Sequence, residues 1–495
     1  MPPDAADRSV KVDVLIAGAG FSGLCMAIQL RRKMPEATFL IVEKGHDIGG
    51  TWYENHYPGC ACDIPSHLYS FSFEQNPEWT RMFAGQVEIQ SYLKRCAQKY
   101  DLMPHIRLGT RLREAVWDEA AACWRAVTED ALKIEARAFV SGVGALHIPN
   151  YPELPGLETF QGPAFHSAHW DHSVDLTGKN VAVIGTGASS IQFVPEIAKQ
   201  VGRLQLFQRT PAWIIPRLDY ALAEKWKKRF RRSPLVGWAF RQFIFWLLEI
   251  RVLGFLGNRW MRNQGAKLAR RHLEAQVPDP ALRSALAPNY EMGCKRVLLS
   301  SDFYPALMRP NVELVTAPIA EVKVHSMVTT DGRERPADIL IFGTGFRISE
   351  ILHDIRVIGR DGMKLNKQWC ERPRAFFGIT MAGFPNFFVL LGPNTGLGHN
   401  SVVLMVEAQV QYVISCLKLL RKRSKRALDL RAGRLEDFMT RVDRRLAKTV
   451  WQAGGCRSWY QDQKTGLNVA IWPGSVVEYA LRTRRAAETD YQFTD

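Results

Sequence analysis

A short apolar run, residues 12–17, leads directly into Gly18-Ala19-Gly20-Phe21-Ser22-Gly23. No other feature restricts the fold as tightly, because each glycine answers a separate steric demand. The first permits a tight turn out of a strand, the second lets a pyrophosphate approach the backbone, and the third lets a helix pack close on that strand. The phosphates then sit on unpaired N–H groups at the helix N-terminus. Around these glycines the sequence predicts a strand over 12–17, a helix over 24–34 and a second strand over 37–42. Glu43 closes that strand and is expected to accept hydrogen bonds from a ribose diol. A glycine-rich turn in an unrelated α/β fold would lack this combination of strand, helix and terminal acid.

The pattern occurs twice. Residues 181–184 form a second apolar run, followed by Gly185-Thr186-Gly187-Ala188-Ser189-Ser190, a helix to about 200 and a strand over 204–208. Ser190 stands where the third glycine is usual, which costs little at a position needing only a small side chain. Arg209-Thr210, not an acid, closes the second strand. An acid there would repel a 2′-phosphate whereas Arg209 would pair with it, so the second site reads as NADP; the plainer alternative is a solvated arginine. One unit ending in Glu43 and the other in Arg209 implies FAD and NADPH side by side, as in flavin reductases and flavin monooxygenases.

The 495 residues, 46% hydrophobic and 23% charged, suffice for two to four globular domains. An excess of 65 Lys and Arg over 49 Asp and Glu gives a net charge of +16. Such a balance suits nucleic acid, anionic lipid or polyanionic cofactors. No nucleic-acid motif is present and no metal site is expected, so two dinucleotides and a solvated basic surface account for it. The nine cysteines are scattered without a CxxC, which predicts no disulfide scaffold and a cytoplasmic setting. Asp4, Asp7, Arg8 and Lys11 precede the 12–17 run, which is too short for a signal-peptide core. Cys60 and Cys62 are spaced CxC, which argues against a flavin disulfide reductase.

Between the two units, Phe160, Gly162, His166, Trp170 and Asp171 follow the pattern FxGxxxHxxxW and then Pro or Asp. This resembles the fingerprint of type I Baeyer–Villiger monooxygenases, within the flavin-containing monooxygenase superfamily. The likeness extends to residues 49–59 with Asp63, Ser66 and Tyr69, to 293–296, to 343–346, to 392–400, to Ser458-Trp459-Tyr460 and to Trp472-Pro473-Gly474. The resemblance implies that His166 organises the linker between domains, that Thr51, Trp52 and Tyr69 belong to a flavin-facing loop, and that Gly343–Phe346 carries the chain back to the FAD domain. It also implies that Arg296 is the active-site cation, that Asp63 lies beside the flavin and holds Arg296, and that Lys295 reaches the NADP 2′-phosphate with Arg209 and Thr210. The implied reaction is insertion of oxygen next to a ketone or aldehyde carbonyl, giving an ester or lactone through a C4a-peroxyflavin. Heteroatom oxygenation by the same intermediate is the alternative, and a nucleotide-binding protein without turnover a third reading. A structural Asp63–Arg296 salt bridge is the plainer reading of that pair.

The expected fold class is α/β, with two Rossmann-like dinucleotide-binding domains and a helical insert. Residues 1–150 and 338–495 would form the FAD domain, 151–215 and 291–337 the NADP domain, and 216–290 the insert. A helix from about 402 to 420, apolar almost all round, would aim its N-terminus at the flavin pyrimidine edge. Segment 225–260 is basic and then aromatic. It is too interrupted to span a bilayer, so it is read first as an insert shaping access for a hydrophobic carbonyl substrate, with weak membrane-surface contact as the other reading.

Overall fold

The computed structural model describes residues 9–462 and 464–495; Asp4, Asp7 and Arg8 lie outside them. The first fingerprint folds as β1 (Ser9–Ala17), α1 (Phe21–Lys33) and β2 (Phe39–Val42). β1 pairs in parallel with β2 on one side and with β3 (Lys133–Ser141) on the other. Its last four residues are buried, as continuous apolar runs are in parallel strands covered on both faces. Beyond β3 the eight-stranded sheet continues in antiparallel fashion through Cys123–Thr128 and Leu112–Asp118.

The second fingerprint folds as β4 (Asn180–Ile184), α2 (Ser190–Ile197) and β5 (Arg203–Phe207). It builds a five-stranded, wholly parallel sheet in the order Val312–Val315, β5, β4, β6 (Ile339–Phe342), Ala164–His166. The position of β6 corrects the expectation that the chain returns to the FAD unit at 338. β6 lies between β4 and Ala164–His166, so the crossing follows Gly343. A four-residue strand buried throughout reads alike for either sheet, and only its partners decide.

After the crossing the chain completes the first sheet. Arg356–Ile358 pairs with Leu112–Asp118, and β7 (Phe387–Val389) pairs with β3. The outward and return crossings run side by side: the Asn150 N–H donates to the Gly345 carbonyl (2.9 Å) and the Arg347 N–H to the Ile148 carbonyl (3.0 Å). His166 sits where they meet, its ring 5.5 Å from Tyr151 and 5.6 Å from Phe346.

Between β5 and Val312–Val315 come α3 (Glu224–Arg232), α4 (Pro234–Glu249), α5 (Arg259–Gln276) and three shorter helices. The longest helix among the described residues is α6 (Val402–Arg423), whose N-cap Ser401 Oγ accepts the Val403 N–H (3.3 Å). α6 has the length and apolarity to cross a membrane, yet 56% of that stretch is buried and it packs against α1. It is a core helix.

Two buried histidines give the fold a pH dependence. His67 lies between the rings of Phe230 and Phe240, and burial, with Arg241 nearby, pushes its pKa down to about 4. Burial does the same to His166, also to about 4, with a smaller contribution from His169. The unfolded chain takes up these protons from about pH 6.5, while the native state resists until about 4. Their contribution is therefore complete above pH 6.5 and lost as the pH falls toward 4, at up to about 3 kcal/mol per histidine. Denaturant titrations should show a lower midpoint at pH 5 than at pH 7.5. Equal midpoints would mean that these imidazoles are not held neutral.

Candidate functional site

At the head of α1 the backbone packs so closely that side chains are excluded. Gly18 has φ +101°, and a Cβ there would lie 2.7 Å from the Gly142 carbonyl oxygen. A Cβ on Gly23 would lie 1.8 Å from the Gly18 carbonyl oxygen, and one on Gly20 would touch Gly50 at 3.4 Å. The N-cap Gly20 offers no side-chain bond and the first turn has no acid, so the helix terminus is left to an anion. Glu43 is buried, and its carboxylate accepts the N–H groups of Ala19 (2.6 Å) and Gly45 (2.7 Å). Burial raises its carboxyl above the ordinary value, against those two bonds. Thr51 and Trp52 begin a short helix just after Gly50; the Trp52 indole donates to the Tyr69 hydroxyl (3.2 Å), and the Tyr69 ring meets Phe21 at 5.0 Å. A glycine-built helix start without a capping side chain, with an acid at the end of the next strand, fits FAD.

The second unit repeats the construction. Gly185 has φ +104°, and a Cβ there would lie 2.5 Å from the Gly343 carbonyl oxygen. Ser190 is buried, and its hydroxyl fills the space that a side chain on Gly343 would need, 2.0 Å from that Cβ position. Serine can replace the third glycine because its opposite number is itself a glycine. Gly187 lies in the turn just before α2, which again has neither a side-chain cap nor an acid in its first turn. Beyond β5 stand Arg209, exposed, and Thr210, whose carbonyl accepts the Thr186 hydroxyl (3.4 Å). Lys295 converges on Arg209: burial first, and then the charge of Arg209, pull its ammonium pKa down. Neither cation makes an ion pair among the described residues, and Lys295 lies over the Tyr290 ring at 5.2 Å. Two neighbouring cations lacking a carboxylate partner fit a 2′-phosphate.

Between the two units lies the Arg296–Asp63 pair. Arg296 donates through Nε to Asp63 Oδ2 (2.8 Å) and through Nη2 to Oδ1 (2.7 Å), with the side chains 28% and 24% exposed. The Asp63 charge raises the guanidinium pKa further, against burial. Asp63 sits on a loop fixed to the first unit by the Cys62 N–H on the Ala84 carbonyl (3.0 Å) and the Ser66 N–H on the Met82 carbonyl (2.8 Å). Gln192 of α2 reaches the same loop from the second unit, donating to the Ala61 carbonyl (3.0 Å) and accepting from the Tyr57 hydroxyl (3.0 Å).

The segment carrying Arg296 is tied by a disulfide between Cys294 and Cys456 and by the Glu291 N–H on the Gly454 carbonyl (3.1 Å). This bond corrects the expectation of no disulfide. Its cysteines lie 162 residues apart, with no spacing to announce them. The other seven are free thiols. Cys60 and Cys62 are buried, and burial pushes the Cys60 thiol up to about 12, so neither is poised as a redox thiolate.

Tyr460 joins this centre although no role for it was read from the sequence. It is buried, and burial pushes its phenol up to about 12 against the pull of Arg296, whose guanidinium lies beside its hydroxyl. The Ser458-Trp459-Tyr460 likeness was the available signal. At the head of α6, Asn400 accepts the Ser401 N–H (2.8 Å) and donates to buried Glu249 of α4 (2.8 Å).

Residues 11–366 match the family described as flavin-binding monooxygenase-like. A Baeyer–Villiger monooxygenase of Pseudomonas aeruginosa is 48% identical over 493 residues, covering 100% of this chain and 93% of the relative. Among solved structures, a steroid monooxygenase bound to NADP superposes with a TM-score of 0.87 at 29% identity, covering 98% of this chain and 100% of that one. OTEMO in complex with FAD and NADP superposes with a TM-score of 0.87 at 25% identity, covering 98% and 99%. With two dinucleotide fingerprints flanking one Arg–Asp pair, and with these relatives spanning its length, the chain belongs to the Baeyer–Villiger monooxygenases of the flavin-binding monooxygenase family.

Proposed function

We propose that the protein uses NADPH and O2 to insert one oxygen atom between a carbonyl carbon and its neighbour, converting hydrophobic ketones or aldehydes to esters or lactones. FAD reduced by NADPH supplies the electrons that activate dioxygen. One oxygen atom enters the product, and the other leaves as water with the NADPH hydride and a proton. The observation that carries this reading is the two-point Arg296–Asp63 bond at the junction of the two nucleotide units.

The chain's own residues then have distinct tasks. Arg296 places a cation that cannot deprotonate where negative charge develops on oxygen, and such fixed charge is strongest where water is excluded. Asp63 fixes the plane of the guanidinium and keeps it from turning to solvent. Tyr460 offers a hydroxyl hydrogen beside Arg296. Glu43 holds the ribose of FAD; Gly18, Gly20 and Gly23 admit its pyrophosphate; Thr51, Trp52 and Tyr69 line its ring side. Gly185, Gly187 and Ser190 admit the NADP pyrophosphate, and Arg209, Thr210 and Lys295 take its 2′-phosphate. In this partition the NADP unit extends through β6, and the helices from α3 to Pro280–Leu286 form the insert. A cytoplasmic setting goes with NADPH use and with seven free cysteines, the Cys294–Cys456 bond being the exception.

Heteroatom oxygenation calls for a protonated oxygen donor, which a permanent cation paired to a carboxylate does not favour. Incubation with cyclic ketones and with thioethers, with products identified by mass, should give lactones as the main outcome and NADPH consumption stimulated by ketone. Sulfoxides without lactone would reverse the assignment, and no substrate-stimulated consumption would leave a nucleotide-binding protein only. Tyr460→Phe should retain flavin and lower kcat by about a hundredfold to a thousandfold, the range for one lost donor; an unchanged kcat would remove the hydroxyl from the chemistry. Arg209→Ala with Lys295→Ala should raise KM for NADPH by at least about tenfold while leaving that for NADH nearly unchanged. Equal losses for both nucleotides would place the 2′-phosphate elsewhere.

A further inference from the structure

Helix α4 is built inside out. Its buried face includes Gly237, Arg241, Ile244, Leu248 and Glu249, so both of its charged residues point into the protein. Arg241 donates to the carbonyls of His67 (2.5 Å) and Leu68 (3.3 Å) and to Ser70 Oγ (3.3 Å). Glu249 accepts from Asn400 (2.8 Å), the Val477 N–H (3.0 Å) and His399 (3.3 Å), and these bonds hold its carboxyl below the ordinary value despite burial. The outer face carries Leu235, Trp238, Phe243, Trp246, Leu247 and Ile250, with Phe243 64%, Trp246 57% and Ile250 58% exposed. A helix covered only by water would present the reverse pattern. A continuous apolar stripe of this kind marks an interaction surface.

The flanks say what covers it. α3 packs on α4 through Phe230 stacked on Phe240 at 5.4 Å, and it exposes Lys225, Lys228, Arg229, Arg231 and Arg232. Arg231 pairs with Glu224 and Glu78, whereas Lys225, Lys228 and Arg232 make no ion pair among the described residues. Arg259 and the 70%-exposed Trp260 stand beyond the other end of the stripe. Within 225–260 the one acid is Glu249, and it is buried. A second copy seated on this stripe would bring two such basic flanks together. An anionic surface complements them, and exposed tryptophans suit the interface of a bilayer.

We propose that the outer face of α4, flanked by α3, docks in the plane of an anionic lipid bilayer. With 16 residues, α4 is too short to span, so it lies along the surface with its apolar stripe in the headgroup boundary. Its inner face touches the His67–Ser70 segment and Asn400 at the head of α6, so the docked side backs directly onto the flavin-facing loop. A hydrophobic carbonyl compound dissolved in the bilayer would meet the enzyme on this side.

Flotation of the FAD-loaded protein with vesicles tests the proposal. Vesicles containing phosphatidylglycerol should carry up at least about tenfold more protein than vesicles of phosphatidylcholine alone, and added salt should reduce that excess. Phe243→Ser with Trp246→Ser should abolish flotation while leaving flavin content and ketone-stimulated NADPH oxidation in detergent-free buffer unchanged. Lys225→Glu with Lys228→Glu and Arg232→Glu should remove the preference for anionic lipid. Protein that stays in solution with phosphatidylglycerol vesicles overturns the proposal, as does a serine variant that floats like the wild type. A dimer in sedimentation velocity that the serine pair dissolves, without flotation, would assign the stripe to a second copy instead.

Discussion

The bond between Arg296 and Asp63 joins residues 233 apart in sequence, and the two nucleotide units must both be folded before it can form. Each partner arrives on a loop with fixed anchors: Asp63 between backbone bonds to Ala84 and Met82, Arg296 beside the Cys294–Cys456 bond and the Gly454 carbonyl. A half-shielded ion pair is weak evidence for stability, because desolvation offsets much of the attraction. Its value here is positional. A cation that cannot lose its proton is held, with its plane fixed, between loops anchored to both units.

The two grooves are built by one rule applied twice. In the first unit the Gly18 N–H donates to the Val42 carbonyl and the Gly142 N–H to the Ala17 carbonyl; in the second, Gly185 donates to Phe207 and Gly343 to Ile184. Each first glycine therefore lies against the glycine that follows the third strand, and each helix starts without a capping side chain. What separates the sites is the end of the second strand. Glu43 turns inward to backbone N–H groups, whereas Arg209 stands exposed with Lys295 converging on it. In the proposed assignment, that one reversal of charge tells a ribose diol from a 2′-phosphate.

Both fingerprints could be read in the sequence because their demands are local: a turn, a close approach and a terminal residue within about thirty positions. The Arg296–Asp63 pairing was reachable only through family likeness, since no local rule links positions so far apart. The sheet to which Ile339–Phe342 belongs was misassigned for the same reason, and the Cys294–Cys456 bond was hidden by an odd count and a separation of 162. In α4 the charges at Arg241 and Glu249 read as polar interruptions of an apolar run. Only the packing shows that they point inward and leave the aromatic side chains outside. Tyr460 lay within a recognised stretch, but the approach of its hydroxyl to Arg296 is a property of the folded neighbourhood and not of the sequence.

The central claim is that residue 296 stabilises charge on oxygen and does not serve flavin reduction. Rapid mixing of an Arg296→Ala variant separates the two, provided flavin content is first shown to be intact. Anaerobic reduction by NADPH should proceed at nearly the wild-type rate. On admission of O2 the variant should return to oxidised flavin with hydrogen peroxide released and no ester or lactone formed. Lactone formation at the wild-type rate by this variant would contradict the account.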